Sequence, residues 1–68
     1  MSEEFYSHRT TIRKPPDQLV IDMARSASAY KVLAESLQAG DQSLVLNFPE
    51  VKETDQGWEV LVYGAGTQ

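Results

Sequence analysis

Histidine, serine and carboxylate side chains are the groups in this chain that could act on a substrate or hold a metal ion. His8 is the only histidine, and the chain has no cysteine. With Glu3 and Glu4 as its nearest acidic neighbours, His8 does not supply a ligand set at useful spacing. Ser7 adjoins His8, but adjacent side chains of a strand point to opposite faces, so the imidazole cannot serve as its base. The sequence therefore predicts neither a metal centre nor a nucleophilic site.

The remaining acidic residues and the glycines do not point to catalysis either. Glu50, Glu53 and Asp55 fall in a polar segment without the apolar surroundings that would tune a carboxyl group for acid–base work. The four glycines match neither dinucleotide-binding nor phosphate-loop spacing. We therefore expect a protein that is not an enzyme and binds no cofactor.

Charge is divided unevenly along the chain. Residues 1–31 carry five basic and four acidic side chains, a net charge of +1, whereas residues 32–68 carry one basic and six acidic side chains, a net charge of -5. A phosphate backbone would be attracted to the first part only, and the second part suits a basic protein. The lack of cysteine and of an apolar N-terminal stretch predicts a cytoplasmic protein that does not enter a membrane.

The basic residues of the first part lie on a predicted strand. Residues 5–13 alternate so that Arg9, Thr11 and Arg13 share one face, and the mixed character of both faces is typical of an edge strand. The two prolines after Lys14 end the strand, because proline cannot donate a ladder hydrogen bond.

Residues 17–39 have the apolar periodicity of one helix, which Gly40 ends. A break within 25–28 is the alternative, since serine competes for backbone hydrogen bonds. At 100° per residue Ile21 and Val32 lie opposite the main apolar stripe, so both are expected to be exposed to a partner or a second copy. The stripe, which is expected to pack on the sheet, consists of Leu19, Met23, Tyr30, Leu33 and Leu37.

The second half of the chain predicts strands. Residues 43–53 form an apolar strand interrupted at Pro49, and residues 58–63 form another, joined to it through a turn that ends at Gly57. Residues 1–4 and 64–68 are expected to be flexible tails. The predicted fold class is α+β: a small single domain of order β-α-β-β, with one long amphipathic helix on a three-stranded sheet whose other face needs a cover.

Two stretches resemble known regulatory families. Residues 9–19, Arg-Thr-Thr-Ile-Arg followed by prolines, Asp and Leu, resemble the start of ribbon-helix-helix regulators. The resemblance implies a DNA-binding regulator or antitoxin that uses Arg9, Thr11, Arg13 and Lys14. Residues 44–61 resemble the strand-to-helix joint of STAS-like domains, the fold of anti-sigma-factor antagonists, which implies a truncated regulatory domain.

The interpretation we favour is a non-enzymatic protein-binding module that works as a regulator, adaptor or inhibitor. Its expected partner is another protein or a second copy of itself, with nucleic acid as the alternative. The predicted contact residues are Ile21 and Val32 on the helix and Glu50, Glu53 and Asp55 in the acidic hairpin.

Overall fold

A computed structural model describes residues 3–67, which fold as one helix and four strands. In chain order these are β1 (Glu3–Ile12), α1 (Gln18–Gln38), β2 (Ser43–Asn47), β3 (Lys52–Thr54) and β4 (Gly57–Thr67). All strand pairs are antiparallel. The helix packs on one face of this sheet, chiefly against β1 and β4. The structure confirms the predicted α+β class and the strand-helix-strand order.

β4 is the central strand, since each of the other three strands pairs with it. β1 pairs with β4 along its whole length and forms one edge, as predicted, while β2 and β3 share the opposite side of β4. The sequence predicted three strands where the structure has four. The additional strand arises because the segment around Pro49 leaves the ladder, dividing the predicted strand into β2 and β3.

Both ends of the described chain belong to the sheet. Glu3 and Glu4 open β1, and Gly64–Thr67 complete β4 between β1 and β2, so the prediction of tails at these positions is wrong. Met1, Ser2 and Gln68 lie outside the described residues. The glycines that suggested a tail are instead required by close packing. A Cβ on Gly64 would lie 2.9 Å from Leu44 Cδ1, and a Cβ on Gly66 would lie 2.0 Å from Asp41 Oδ2.

α1 is a single helix, as predicted. The Asp17 side chain caps its start, where Oδ1 accepts a hydrogen bond of 2.9 Å from the Val20 amide. Gly40, with φ of +85°, follows its end. Ser28 does not break the helix, because its hydroxyl contacts side chains of β1 instead of competing for the helix backbone.

The face of α1 that lies on the sheet is the opposite of the predicted one. Val32 is 0% exposed and forms the buried apolar core with Val60 and Val62 of β4, while Ile21 is half-buried. The prediction of Val32 as an exposed contact residue is therefore wrong, and Ile21 is only partly accessible. The predicted packing stripe points to solvent: Leu19 is 67% exposed, Met23 64%, Tyr30 73%, Leu33 39% and Leu37 64%.

Hydrogen bonding and side-chain size explain this orientation. β1 presents the half-buried side chains of His8 and Thr10 to the helix, and the buried Ser28 hydroxyl lies 3.3 Å from His8 Nδ1 and 3.1 Å from Thr10 Oγ1. A leucine in place of Ser28 would leave His8 Nδ1 and Thr10 Oγ1 without this partner, at a cost of about 1–3 kcal/mol for each buried group left unpaired. Ser28 and Ser36 are small and buried on either side of Val32, whose Cγ1 lies against Gly64 of β4. The polar, narrow face therefore packs inward.

The helix orientation predicts different costs for the same substitution on two sides of α1. Val32→Ala should lower the free energy of unfolding by roughly 2 kcal/mol, because it removes two buried methyl groups and leaves a cavity. Val20→Ala, at a partly exposed position, should cost less than about 0.5 kcal/mol. Urea unfolding followed by circular dichroism measures both, and equal costs would contradict the packing described here.

A second pair of variants tests the turn before β4. Gly40 and Gly57 both have positive φ, but a Cβ on Gly40 meets nothing within 4 Å, whereas a Cβ on Gly57 would lie 2.2 Å from the Ile12 carbonyl oxygen. Gly40→Ala should therefore cost about 1–2 kcal/mol from backbone strain alone. Gly57→Ala should cost about 3 kcal/mol or more. Thermal unfolding of both variants decides this, and a Gly57→Ala variant as stable as Gly40→Ala would contradict it.

Candidate protein-binding surfaces

The one histidine side chain lies at the joint between helix and sheet. His8 faces Ser28 in the contact between β1 and α1. Within residues 3–67, no group of three histidine, aspartate or glutamate side chains is placed to hold a metal ion. The same part of the chain contains no helix with the length and apolar character needed to cross a membrane.

Tyr6 and Asp41 form a polar pair at the end of α1. Asp41 is buried, and the Tyr6 hydroxyl donates a hydrogen bond of 2.5 Å to its Oδ2 while lying 3.3 Å from Glu4 Oε2. The hydrogen bond to Asp41, followed by burial and the nearby negative charges, raises the pKa of Tyr6 above its ordinary value. A phenol that acts as a nucleophile or base needs a lowered pKa. The role of the pair is therefore structural, because its hydrogen bond joins β1 to the segment that follows α1.

The outer face of α1 is the apolar stripe defined by Leu19, Met23, Tyr30, Leu33 and Leu37. A groove beside this face, here called the helix groove, has a volume of about 310 Å³. Ser26, Ala29, Tyr30, Leu33 and Leu46 line it, so it lies between α1 and β2. The groove exists because α1 packs mainly over β1 and β4 and makes little contact with β2.

A second cavity continues from the helix groove past Ser26 toward Phe48 and Arg25. Arg25 Nη2 donates a hydrogen bond of 3.1 Å to the Pro49 carbonyl oxygen. Arg25 Nε is buried and has no acceptor within the described residues. This part of the molecule therefore combines the apolar side chains of Ala29 and Phe48 with the Asp22 carboxylate and an unpaired hydrogen-bond donor.

The sheet face opposite α1 carries no helix within the described residues. Phe5, Ala65 and Val45 lie side by side across β1, β4 and β2, and Phe5 and Val45 are largely exposed. Tyr63 and the half-buried Leu61 extend this apolar row along β4. The open sheet face is thus a second apolar surface, on the other side of the sheet from α1.

The predicted acidic residues do not lie together. Glu53 stands opposite Trp58 in the β3–β4 ladder, which places it on the helix side of the sheet, and Asp55 lies in the turn. Glu50 lies between β2 and β3 and lines a small groove on the open sheet face, here called the sheet groove, of about 190 Å³. The other residues that line the sheet groove are Pro49, Lys52, Glu59, Leu61 and Tyr63.

Glu59 was not singled out from the sequence, yet it is central to the open sheet face. Its Oε1 lies 3.3 Å from Arg9 Nε across the β1–β4 pair. The signal in the sequence is the alternation of β4, which puts Glu59 on the same face as Leu61 and Tyr63. Glu59 also lies opposite Thr11, so a carboxylate stands within the predicted basic surface.

The basic residues of the DNA-binding alternative are only partly brought together. Arg9 and Thr11 share the open sheet face, as the alternation predicted, but Arg9 is ion-paired with Glu59. Arg13 and Lys14 follow the end of β1 and are exposed. After α1 the described chain forms strands only, so it contains neither the second helix of the ribbon-helix-helix fold nor the helix expected for a STAS-like joint.

The Tyr6 pair predicts a spectroscopic and a stability signature. In the unfolded chain Tyr6 loses its proton near pH 10, whereas the folded chain retains it at higher pH, so the free energy of unfolding should fall as pH rises above about 10. In a pH titration, the part of the absorbance increase at 295 nm that belongs to Tyr6 is the part that Tyr6→Phe removes. This part should occur at a higher pH than the ordinary titration of tyrosine. Tyr30→Phe leaves the pair of Tyr6 and Asp41 intact, so this variant should retain the absorbance increase at high pH. An ordinary titration of Tyr6 would contradict the hydrogen bond to Asp41.

Comparisons of this chain with protein-family models, with curated proteins and with solved structures find no match. No family is therefore assigned on the basis of similarity. The function proposed below rests on the geometry of the chain's own residues.

Proposed function

We propose that this protein is a small non-enzymatic binding module, a regulator, adaptor or inhibitor, that recognises a basic segment of another protein. The observation that supports the proposal is the sheet groove, where the carboxylates of Glu50 and Glu59 outnumber the one cation, Lys52, beside an apolar surface on an open sheet face. A cytoplasmic location, which the cysteine-free composition predicts, is part of the same proposal.

The sheet groove has the chemistry that a lysine or arginine side chain requires. Such a side chain places its aliphatic stem on apolar surface and its charged end near solvent. Leu61 and Tyr63 supply the apolar surface in the sheet groove, and Glu50 supplies a carboxylate at its margin. Glu59 is already paired with Arg9, whereas Glu50 is in no ion pair within the described residues. Glu50 is therefore the acidic residue best placed to take a cation from a partner.

The rest of the open sheet face suits the apolar part of the same segment. Phe5 and Val45 lie beyond Tyr63 on neighbouring strands and are largely exposed. A segment with basic residues at one end and apolar residues at the other would meet Glu50 first and the Phe5–Val45 row next. Such a segment combines an apolar contact with a polar rim, the usual anatomy of a protein interface.

A DNA-binding function is less well supported. Arg9 is the basic residue in the middle of the predicted reading strand, and its guanidinium is engaged by Glu59. A phosphate backbone on the same face would approach the carboxylates of Glu50 and Glu59, which repel it. The charge of residues 32–68 acts in the same direction.

Photocrosslinking tests the proposal directly. A benzophenone side chain at position 63, on the open sheet face, should crosslink in the producing cells to a different protein, giving an adduct sensitive to protease and resistant to nuclease. Glu50→Lys should lower the yield roughly fivefold or more through charge reversal. Glu53→Lys, the same change three residues further along the chain but on the helix side of the sheet, should leave the yield unchanged.

Three results would overturn the proposal. A nuclease-sensitive adduct, together with salt-dependent binding of labelled duplex DNA that the Arg9→Ala, Arg13→Ala double variant abolishes, would establish the DNA-binding alternative. An adduct with this chain alone would make the open sheet face a self-contact. Equal effects of Glu50→Lys and Glu53→Lys would show that net charge, and not the sheet groove, governs binding.

A further inference from the structure

The outer face of α1 is the feature that the proposed function leaves unused. It lies on the opposite side of the molecule from the sheet groove, and its large side chains face solvent along the whole helix. A monomeric protein seldom exposes so extended an apolar surface. From the residues on this face we infer that it binds the same face of a second copy, with the two helices antiparallel.

The spacing on this face is that of a helix-packing seam. The positions 19, 23, 26, 30, 33 and 37 follow one another in alternating steps of four and three residues, which is the spacing of the contact positions in a coiled coil. Ala27 and Ala34 flank the seam, and their small side chains allow a second helix to approach closely. Five of the six seam residues are large and apolar, and Ser26 is the exception.

The seam is complementary to itself when the second helix runs in the opposite direction. With the two-fold axis on the outer face at the level of position 28, Leu19 faces Leu37 of the second copy and Met23 faces its Leu33. Ser26 then faces Tyr30 of the second copy, so the smallest residue of the seam meets the largest. In a parallel pair, by contrast, Tyr30 would meet Tyr30 and Ser26 would meet Ser26, which leaves one layer crowded and another underfilled.

The helix groove provides a place for the tyrosine of the second copy. Ser26 lines both the helix groove and its continuation toward Arg25, so a ring placed opposite Ser26 enters at their junction. Ala29 and Leu46 supply apolar walls there. Arg25 lines the continuation, and its buried Nε has no acceptor within the described residues. A tyrosine hydroxyl can accept a hydrogen bond from such a donor.

Charge and area also fit a second copy. None of the six seam residues is charged, so a two-fold contact brings no like charges face to face. Five large apolar side chains with roughly 100 Å² each to bury give two copies a contact of about 1,000 Å² in total, which reaches the lower limit for a specific interface. The inference does not rest on the proposed function, because the two surfaces are separate.

Sedimentation equilibrium of the full chain tests this dimer. The wild type should be dimeric at micromolar concentration, and Tyr30→Glu should raise the dissociation constant roughly 100-fold or more, because a buried aromatic contact is replaced by a charge. Lys31→Glu, on an exposed neighbouring position, is the matched control and should remain dimeric. Circular dichroism reports whether each variant is folded.

Single cysteines in this cysteine-free chain give a second readout that does not require Tyr30→Glu to fold. Oxidation of a mixture of Leu19→Cys and Leu37→Cys should give a covalent dimer of the two variants, whereas neither variant alone should crosslink. Crosslinking of each variant alone would show a parallel pair and overturn the antiparallel assignment. The inference would be overturned by a wild type that stays monomeric to several hundred micromolar, or by a dimer that Tyr30→Glu does not weaken. Neither result would affect the photocrosslinking experiment at position 63, which tests the open sheet face.

Discussion

The close packing of a narrow helix face on β4 is the constraint on which the rest of this structure depends. Val60, Val62 and Gly64 lie on the helix side of β4, and a Cβ on Gly64 would lie 3.1 Å from Val32 Cγ1 of α1. Only a helix face with small side chains can approach such a strand, and the face that carries Val32 between two serines satisfies this requirement. The larger apolar side chains of α1 are consequently directed outward.

The same constraint keeps the buried core small. Val32, Val60 and Val62 are the fully buried apolar side chains of the described residues. Small domains bury a limited fraction of their surface, so a core of this size leaves little reserve of stability. Polar contacts at the helix–sheet joint add to it, chiefly those of Ser28 with β1 and of Tyr6 with Asp41. Covering either apolar surface with another protein would add stability that the isolated chain lacks.

The two candidate surfaces have different physical characters and lie on opposite sides of the molecule. The outer face of α1 is uncharged and self-complementary, which suits a two-fold contact. The open sheet face mixes exposed aromatic and aliphatic side chains with the carboxylates of Glu50 and Glu59, which suits a partner of opposite charge. A dimer formed through α1 would leave both sheet grooves accessible. Such a dimer would offer two equal binding sites, and bivalent binding strengthens attachment to a target with paired segments.

Much of the local structure follows from the sequence alone. Asp17 and Gly40 bound a single helix, alternation in residues 5–12 assigns the faces of β1, and the α+β class follows from the change of periodicity after Gly40. These features depend on neighbouring residues, and short-range rules of capping and alternation describe them. Pro49 likewise marks the interruption that separates β2 from β3.

The tertiary structure decided which face of α1 is buried and where the site residues meet. Hydrophobicity along the chain favours the stripe of Leu19 and Leu37, but the inward face is chosen by residues distant in sequence: Gly64 of β4 and the polar side chains of β1. Strand register places Glu53 and Glu59 on opposite faces of the sheet, and the segment between β2 and β3 brings Glu50 to the groove that Glu59 also lines. A one-dimensional pattern reports how apolar a face is, but only the packed neighbours determine how closely that face can approach and which polar groups it must satisfy.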